Sequence, residues 1–142
     1  MIRAANACDI CQIAEIEKES FSDGWSSDGL AAALDDSIGI FLVSEEQDMI
    51  AGYIIGSCDG ENGYIEKLAV HPCRRRNGIA LKLLEEFAAQ LPPCADISLE
   101  VRESNQAAIA VYSLFGFEQA GIRKRFYSSP AENAVVMIRK GR

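Results

Sequence analysis

The spacing of apolar residues changes period several times along the chain, and each change marks an element. Ile2, Arg3 and Ala4 open a short strand over residues 2–5. From Asp9 onward, Ile10, Ile13 and Ala14 recur at helical spacing, with the aliphatic stem of Glu17 on the same face. This predicts a helix to about Ser20, capped by Asp9 with Gln12 as its box partner. Phe21 to Trp25 form a loop, and Ser26 or Ser27 can cap a second short helix through Leu34. Two apolar runs, Ile38 to Ser44 and Ile50 to Ser57, flank a polar turn at Glu45-Glu46-Gln47-Asp48 and predict an antiparallel hairpin. A second turn spans Cys58 to Gly63, and Tyr64 to Val70 is the next strand. Ala80, Leu83, Leu84, Phe87, Ala88 and Leu91 then fall on one helical face, and Pro92-Pro93 end that helix. Ile97, Leu99 and Val101 alternate with Ser98, Glu100 and Arg102 in a strand over 96–102. Ser104 can cap a helix from Asn105 to about Phe115, with Gly116 as its stop. Phe117 to Tyr127 and Asn133 to Arg139 are the last two strands.

The predicted order is β-α-α-β-β-β-α-β-α-β-β. The strand, helix and strand over 64–102 make a crossover, so those two strands should run parallel. The hairpins add antiparallel neighbours. The fold class is α/β in the broad sense, an α+β mixed sheet with helices on both faces, giving three αβα layers. No segment repeats and none resembles an interdomain linker, so residues 1–142 are expected to form one domain. At 49% hydrophobic and 25% charged the composition is that of a globular chain. A net charge of -7 argues against general nucleic-acid binding. No apolar run approaches the roughly 20 residues needed to span a bilayer, and the N-terminus has no signal-peptide core. The expected setting is cytoplasmic, with no nucleic-acid and no membrane partner. Five scattered cysteines, Cys8, Cys11, Cys58, Cys73 and Cys94, suit reduced thiols. Cys8 and Cys11 form a lone CxxC without the second pair a zinc site needs, so they are read as helix-packing residues and no metal is expected.

Charge is not spread evenly. Between Glu66 and Glu85 stand Lys67, Arg74, Arg75, Arg76 and Lys82, with no acid among them. The apolar run Leu68-Ala69-Val70 stops at Pro72, three arginines follow, and Gly78 opens a helix. Strand, basic turn and helix N-terminus together offer an anion free backbone N–H groups, the positive end of the helix and guanidinium forks. The glycine pattern fits neither a P-loop, which needs Gly-Lys-Ser/Thr, nor a dinucleotide fingerprint, which needs three glycines. The chain's one histidine, His71, has no cluster around it and is read as structural.

What remains in the turn is Arg-x-x-Gly-x-Ala at Arg75 to Ala80. The stretch from Leu68 to Ala80 is similar to the acetyl-CoA-binding signature of the GNAT acyltransferases, whose core reads Gln/Arg-x-x-Gly-x-Gly/Ala. A second stretch, Leu99-Glu100-Val101-Arg102-Glu103-Ser104-Asn105 through Tyr112 to Gly116-Phe117, resembles the family's Leu-Glu-Val-Arg-x-Ser-Asn…Leu-Tyr-x-x-x-Gly-Phe. Within the family the resemblance is to the RimI-type N-terminal protein acetyltransferases. It covers most of the chain beyond about residue 64. Before that it rests on element order and Phe21-x-x-x-Trp25-Ser26, where Gly24 stands in place of the family's proline. Cys73 and Arg74 also depart from the acid and aromatic common before the arginines. The resemblance implies a GNAT-like fold and acetyl-CoA as cosubstrate. Arg75, Arg76, Asn77, Gly78, Ile79 and Ala80 would hold the pyrophosphate, Leu68, Ala69 and Val70 would lie along the pantetheine arm, and Asn105 would bond that arm or else merely cap its helix. The implied acceptor is a primary amine, above all the N-terminal α-amine of a protein such as a small ribosomal subunit protein.

The residues themselves suit acyl transfer, which needs a neutral amine and an acid for the departing thiolate. Glu100 lies on a strand expected to be central, where desolvation would raise its pKa toward that of a base. The alternative is an ion pair with Arg102 or Lys67. Glu66 is the rival base, and alternation would set it on the face of Leu68 and Val70; the resemblance favours Glu100. Tyr112, seven residues after Asn105, shares a helix face with it, and the resemblance makes its phenol the general acid where a core tyrosine is the plain reading. Trp25 is a packing anchor or a wall of the acceptor pocket. Arg123-Lys124-Arg125-Phe126-Tyr127 resembles the Arg-Arg-x-Tyr-Tyr stretch that borders the peptide site, with Phe126 replacing one tyrosine and Tyr127 kept. A GNAT enzyme of small-molecule amines or lysine side chains, and a CoA-binding regulatory module without turnover, stay open as alternatives.

Overall fold

Strands that must bury both faces and strands that bury one are told apart by their patterns, and here they set the order of the sheet. The computed structural model describes residues 1–141. Seven strands, β1 (Ile2–Ala4), β2 (Gly39–Glu46), β3 (Met49–Cys58), β4 (Gly63–Val70), β5 (Ile97–Arg102), β6 (Glu118–Ser128) and β7 (Ala131–Arg139), are joined by four helices. The helices are α1 (Ile10–Ser20), α2 (Ser27–Leu34), α3 (Ile79–Ala89) and α4 (Gln106–Leu114). The sheet order is β1-β2-β3-β4-β5-β7-β6. Only β4 and β5 are parallel; every other neighbouring pair is antiparallel. This is the mixed, three-layer sheet the sequence predicts. β3, in the interior of the sheet, is buried from Ile50 to Gly56, as a strand covered on both faces must be. β6, at the edge, is exposed along most of its length. Among the described residues no helix is long and apolar enough to cross a membrane.

Alternation sorts the core into two clusters. Ile10, Ile13 and Ile16 of α1 and Leu30 of α2 pack with Phe41, Val43, Tyr53 and Ile55 on one face. Leu83, Leu84 and Phe87 of α3 and Tyr112 of α4 pack with Leu42, Ile54, Ile65, Leu99, Val101 and Met137 on the other.

Local details depart from expectation. Asp9 stands at the N-cap of α1 as predicted but makes no side-chain capping bond there: Asn6 caps the 3₁₀ turn before it with Asp9 as its box partner, and Asp9 takes a two-pronged contact from Arg3 at 2.8 and 2.9 Å. Gln12 instead accepts from the Ile50 N–H at 2.9 Å. Ser26 caps α2 as predicted, accepting from Gly29 N–H at 3.2 Å. Asn105, not Ser104, caps α4 through Ala108 N–H at 3.2 Å. Cys8 and Cys11 are exposed rather than packed, because the apolar stripe of α1 runs through Ile10, Ile13 and Ile16 instead.

Candidate active site

The site is organised by an irregularity in β4. Ile55 lies opposite Lys67 and Gly56 opposite Ile65, which leaves Glu66 as the extra residue of a β-bulge. A bulge bends its strand and adds twist. β4 accordingly pairs with β5 only at Gly63, Tyr64 and Ile65, and the two strands part beyond that point. The β5-facing edge over 66–70 has no strand partner there, and an extended ligand rich in amides can bond to such an edge. The bulge also overrides the alternation that would set Glu66 with Leu68 and Val70. Leu68 and Val70 pack toward α3, whereas Glu66 is the unpaired, exposed bulge residue.

At the end of β4 the chain turns through Pro72–Arg74, where His71 Nδ1 accepts from Cys73 N–H at 3.0 Å; His71 is structural, as predicted. Arg75 Nε donates to the Val70 carbonyl at 3.2 Å, and Asn77 Nδ2 donates to the Arg74 carbonyl at 3.1 Å. These two bonds hold the turn against its own backbone. Gly78 begins α3 with φ +75° and no side-chain cap, so the first N–H groups of the helix stay available. A Cβ at Gly78 would meet nothing within 4 Å; the positive φ, not crowding, is what calls for glycine. None of Arg74, Arg75 and Arg76 forms an ion pair with an acid among the described residues. The turn thus has the donors and the unpaired charge that a diphosphate requires.

Where β4 and β5 part, a cleft of about 440 Å³ opens, and it gathers Trp25, Glu66, Leu68, Glu100, Asn105, Tyr112 and Tyr127. The rest of the predicted set, Val70, Arg75, Arg76, Asn77, Gly78, Ile79 and Ala80, continues from it along β4 into the basic turn, and Ala69 turns its side chain into the α1 cluster. Glu100 pairs with neither Arg102 nor Lys67. Its Oε1 accepts from the Tyr64 hydroxyl at 2.7 Å and lies 4.0 Å from Arg123 Nη1, leaving Oε2 unengaged among the described residues. Tyr64 is held protonated: burial, its bond to Glu100 and the Glu100 charge all raise its pKa above the usual tyrosine value. Tyr112 is buried against Phe117, ring centres 5.5 Å apart; burial, then the Tyr127 charge, raises its pKa too. It is therefore a neutral phenol over the whole physiological range. Burial pushes the Tyr127 hydroxyl up to about 12, Arg102 opposes, and Glu100, Asp23 and Glu132 add to the rise. Though exposed to solvent on one side, Glu66 is partly desolvated at the cleft wall, and this and then Asp36 raise it above the ordinary carboxylate value, with Lys67 opposing.

Residues that line or support the cleft escape sequence reasoning. Glu17 is buried to its carboxylate, not only along its stem. It accepts from the Tyr53 hydroxyl and from Trp25 N–H at 2.7 Å, and pairs with Lys67 Nζ at 3.2 Å. Lys67 in turn sits 4.1 Å from the Phe21 ring centre and 5.3 Å from that of Trp25. Trp25 is thus both anchor and wall. The available signal was an acid one turn from Ile13 on an apolar stripe. Tyr64 has a weaker signal: its partner Ser98 is two residues before Glu100 on the same strand face, which is visible only once the parallel register is known.

Residues 10–117 match the family model described as the acetyltransferase (GNAT) family. A [ribosomal protein bS18]-alanine N-acetyltransferase of Haemophilus ducreyi is 33% identical over 142 residues, covering 96% of this chain and 97% of that protein. An uncharacterised N-acetyltransferase of Methanocaldococcus jannaschii is 33% identical over 143 residues, covering 99% of this chain and 91% of that protein. The crystal structure of the ribosomal-protein-S18-alanine N-acetyltransferase from Escherichia coli superposes with a TM-score of 0.88 at 27% identity, covering 99% of this chain and 92% of that one.

Proposed function

This chain belongs to the acetyltransferase (GNAT) family, and from that premise we propose that it carries an acetyl group from acetyl-CoA to the N-terminal α-amine of a protein, a small ribosomal subunit protein among the candidates, in the cytoplasm. One observation carries the proposal. The gap between β4 and β5 joins the unpaired basic turn to a cleft holding a carboxylate and a neutral phenol, Glu100 and Tyr112. The likeness to bS18-alanine acetyltransferases supports the choice of acceptor.

In this reading Arg75, Arg76 and the N–H groups of Asn77 to Ala80 hold the diphosphate. The edge of Leu68 to Val70, which has no strand partner on the β5 side, lies along the pantetheine arm, and Asn105, its Oδ1 engaged in the cap, offers its amide N–H₂ to the same arm. Glu100 Oε2 takes a proton from the α-ammonium, directly or through one water. The nitrogen then forms the new C–N bond at the thioester carbonyl as the C–S bond breaks, and the Tyr112 hydroxyl protonates the departing thiolate; the nitrogen sheds its second proton to water as the amide forms, and water returns a proton to the Tyr112 oxygen. Trp25, Glu66 and Tyr127 border the acceptor. An α-amine, with a pKa of about 7.7–8.0, is already roughly a tenth neutral at pH 7, whereas a lysine is neutral to less than about one part in a thousand. An α-amine acceptor therefore asks far less of the base than a lysine does.

The test is acetyl-CoA turnover against a panel of N-terminal peptides, internal-lysine peptides and polyamines, with mass spectrometry locating the acetyl group. Acetylation at peptide α-amines is expected. Acetylation confined to polyamines or lysine side chains would refute the acceptor, and a protein that binds CoA without turnover would refute the enzymatic role.

A further inference from the structure

We propose that Arg102 is a positioning residue for acceptor selection, tying the loop before α2 to the turn between β6 and β7 and so fixing the width of the cleft. This rests on the reading of the cleft as the acceptor site. Arg102 lies two residues beyond Glu100, on the same face of β5. Its Nη1 donates to the Pro130 carbonyl at 2.9 Å and to Glu132 Oε1 at 3.3 Å. Its Nη2 donates to the Ser129 carbonyl at 3.1 Å and to Ser22 Oγ at 3.5 Å, and pairs with Asp23 Oδ2 at 3.2 Å. Ser22 Oγ also donates to the Ser129 carbonyl at 2.6 Å. The guanidinium carbon stands 4.3 Å from the centre of the Tyr127 ring. Glu132 Oε2 accepts from the Ser104 N–H at 2.6 Å, immediately before the cap of the helix that bears Tyr112.

One side chain therefore touches the loop bearing Trp25 and the turn next to Tyr127 and, through Glu132, reaches the start of α4. With Asp23 and Glu132 against it, its charge is already matched, so it does not act as a free cation toward the acceptor. A planar fork with two terminal nitrogens bonds both loops at once in one fixed geometry; an ammonium, whose rotatable donors share a single nitrogen on a flexible stem, does not impose that geometry. The basic turn lies outside these contacts. Loss of the fork leaves, among the described residues, only the Ser22 Oγ–Ser129 carbonyl bond between the two walls, which should loosen both and weaken acceptor binding while leaving the diphosphate end of the donor untouched.

The experiment compares the full-length protein with its Arg102→Met and Arg102→Lys variants. Two readouts are taken: hydrogen–deuterium exchange, and the Michaelis constants for acetyl-CoA and for the best peptide acceptor. In both variants, exchange over residues 21–25 and 128–131 is expected to rise together while residues 79–89 stay unchanged. The acceptor KM is expected to rise about tenfold, the size expected for losing a charge-assisted hydrogen bond, with the acetyl-CoA KM changed far less. Faster exchange in one loop alone, rescue by lysine, or an acceptor KM equal to wild type would overturn the proposal. Should Arg102→Met not fold, the double variant Ser22→Ala, Asp23→Asn cuts the same bridge from an exposed loop. It should raise the acceptor KM likewise, and an unchanged KM there also overturns the proposal. If wild type acetylates no peptide N-terminus, the acceptor reading falls by itself. The exchange measurement, which needs no acceptor, still decides the bridge.

Discussion

A base and an acid that share one cleft can be separated by the atoms they lose. Glu100→Gln keeps the shape and the Tyr64 bond but cannot take a proton; Tyr112→Phe keeps the ring and cannot give one. Each should lower kcat by about a hundredfold or more, the range for general acid–base groups, with the acetyl-CoA KM little changed, measured as initial rates of CoA release. Because burial raises Tyr112 above the usual tyrosine value, it stays protonated as the pH climbs. The wild-type rate should therefore rise as the acceptor amine deprotonates near about pH 8 and then hold to at least about pH 9.5; a fall before pH 9 would count against Tyr112 as the acid. Glu17 has a different role. It is buried with Lys67, Tyr53 and the Trp25 N–H all directed at it. Glu17→Gln strands the Lys67 cation among the rings of Phe21 and Trp25. Removing one member of a buried pair costs about 3–5 kcal/mol, so urea unfolding should show a loss of that order.

Among the elements, the bulge in β4 decides where a site can exist. Its partner on β3 is Gly56, at the register shift. A Cβ there would lie 2.3 Å from the Tyr64 carbonyl oxygen and 2.6 Å from the Phe87 ring. Gly56→Ala must push β4 or α3 aside, and overpacking of this kind costs about 1–3 kcal/mol. The thermal midpoint should fall, and because Tyr64 is the donor to Glu100, the kcat of the folded fraction should fall with it. The elements that regular periodicity writes were legible: the α3 stripe, the alternation of β5 and the parallel crossover all stand as predicted. The bulge was not, because one extra residue leaves no mark in a two-residue period; it shows only when β3 is laid beside β4. Asn105 against Ser104 as the cap of α4 is a difference of one residue, within the uncertainty of helix ends. Glu17 and Arg102 were visible as charged residues, but their partners come from segments far away in sequence. Which loop folds over which strand end is a tertiary fact.

For the molecule as a whole, charge sets two opposing terms. The net charge of -7 repels any anionic ligand at long range, while Arg74, Arg75 and Arg76, free of acidic partners, attract it at short range. Salt weakens both terms, with a screening length of about 8–10 Å at ordinary ionic strength. In the wild-type protein the local attraction dominates, since the ligand phosphates would lie within contact distance of the guanidinium groups. Added salt should therefore raise the acetyl-CoA KM. Replacing both Arg75 and Arg76 by Gln removes two forks and leaves the general repulsion. The KM should then rise at low salt by about tenfold or more, as expected for losing hydrogen bonds to a charged group, with kcat preserved because the turn does not reach the reacting atoms. The sign of the salt dependence should also reverse: with only Arg74 left of the three guanidinium groups, salt mainly screens repulsion, and the variant's KM should fall as salt is added. Initial rates from about 20 to 300 mM potassium chloride, over which the Debye length falls from roughly 20 to roughly 6 Å, distinguish this from a merely misfolded turn. A disordered turn would raise KM without reversing its slope, and a slope of the same sign in both proteins would remove the basic turn from the donor site.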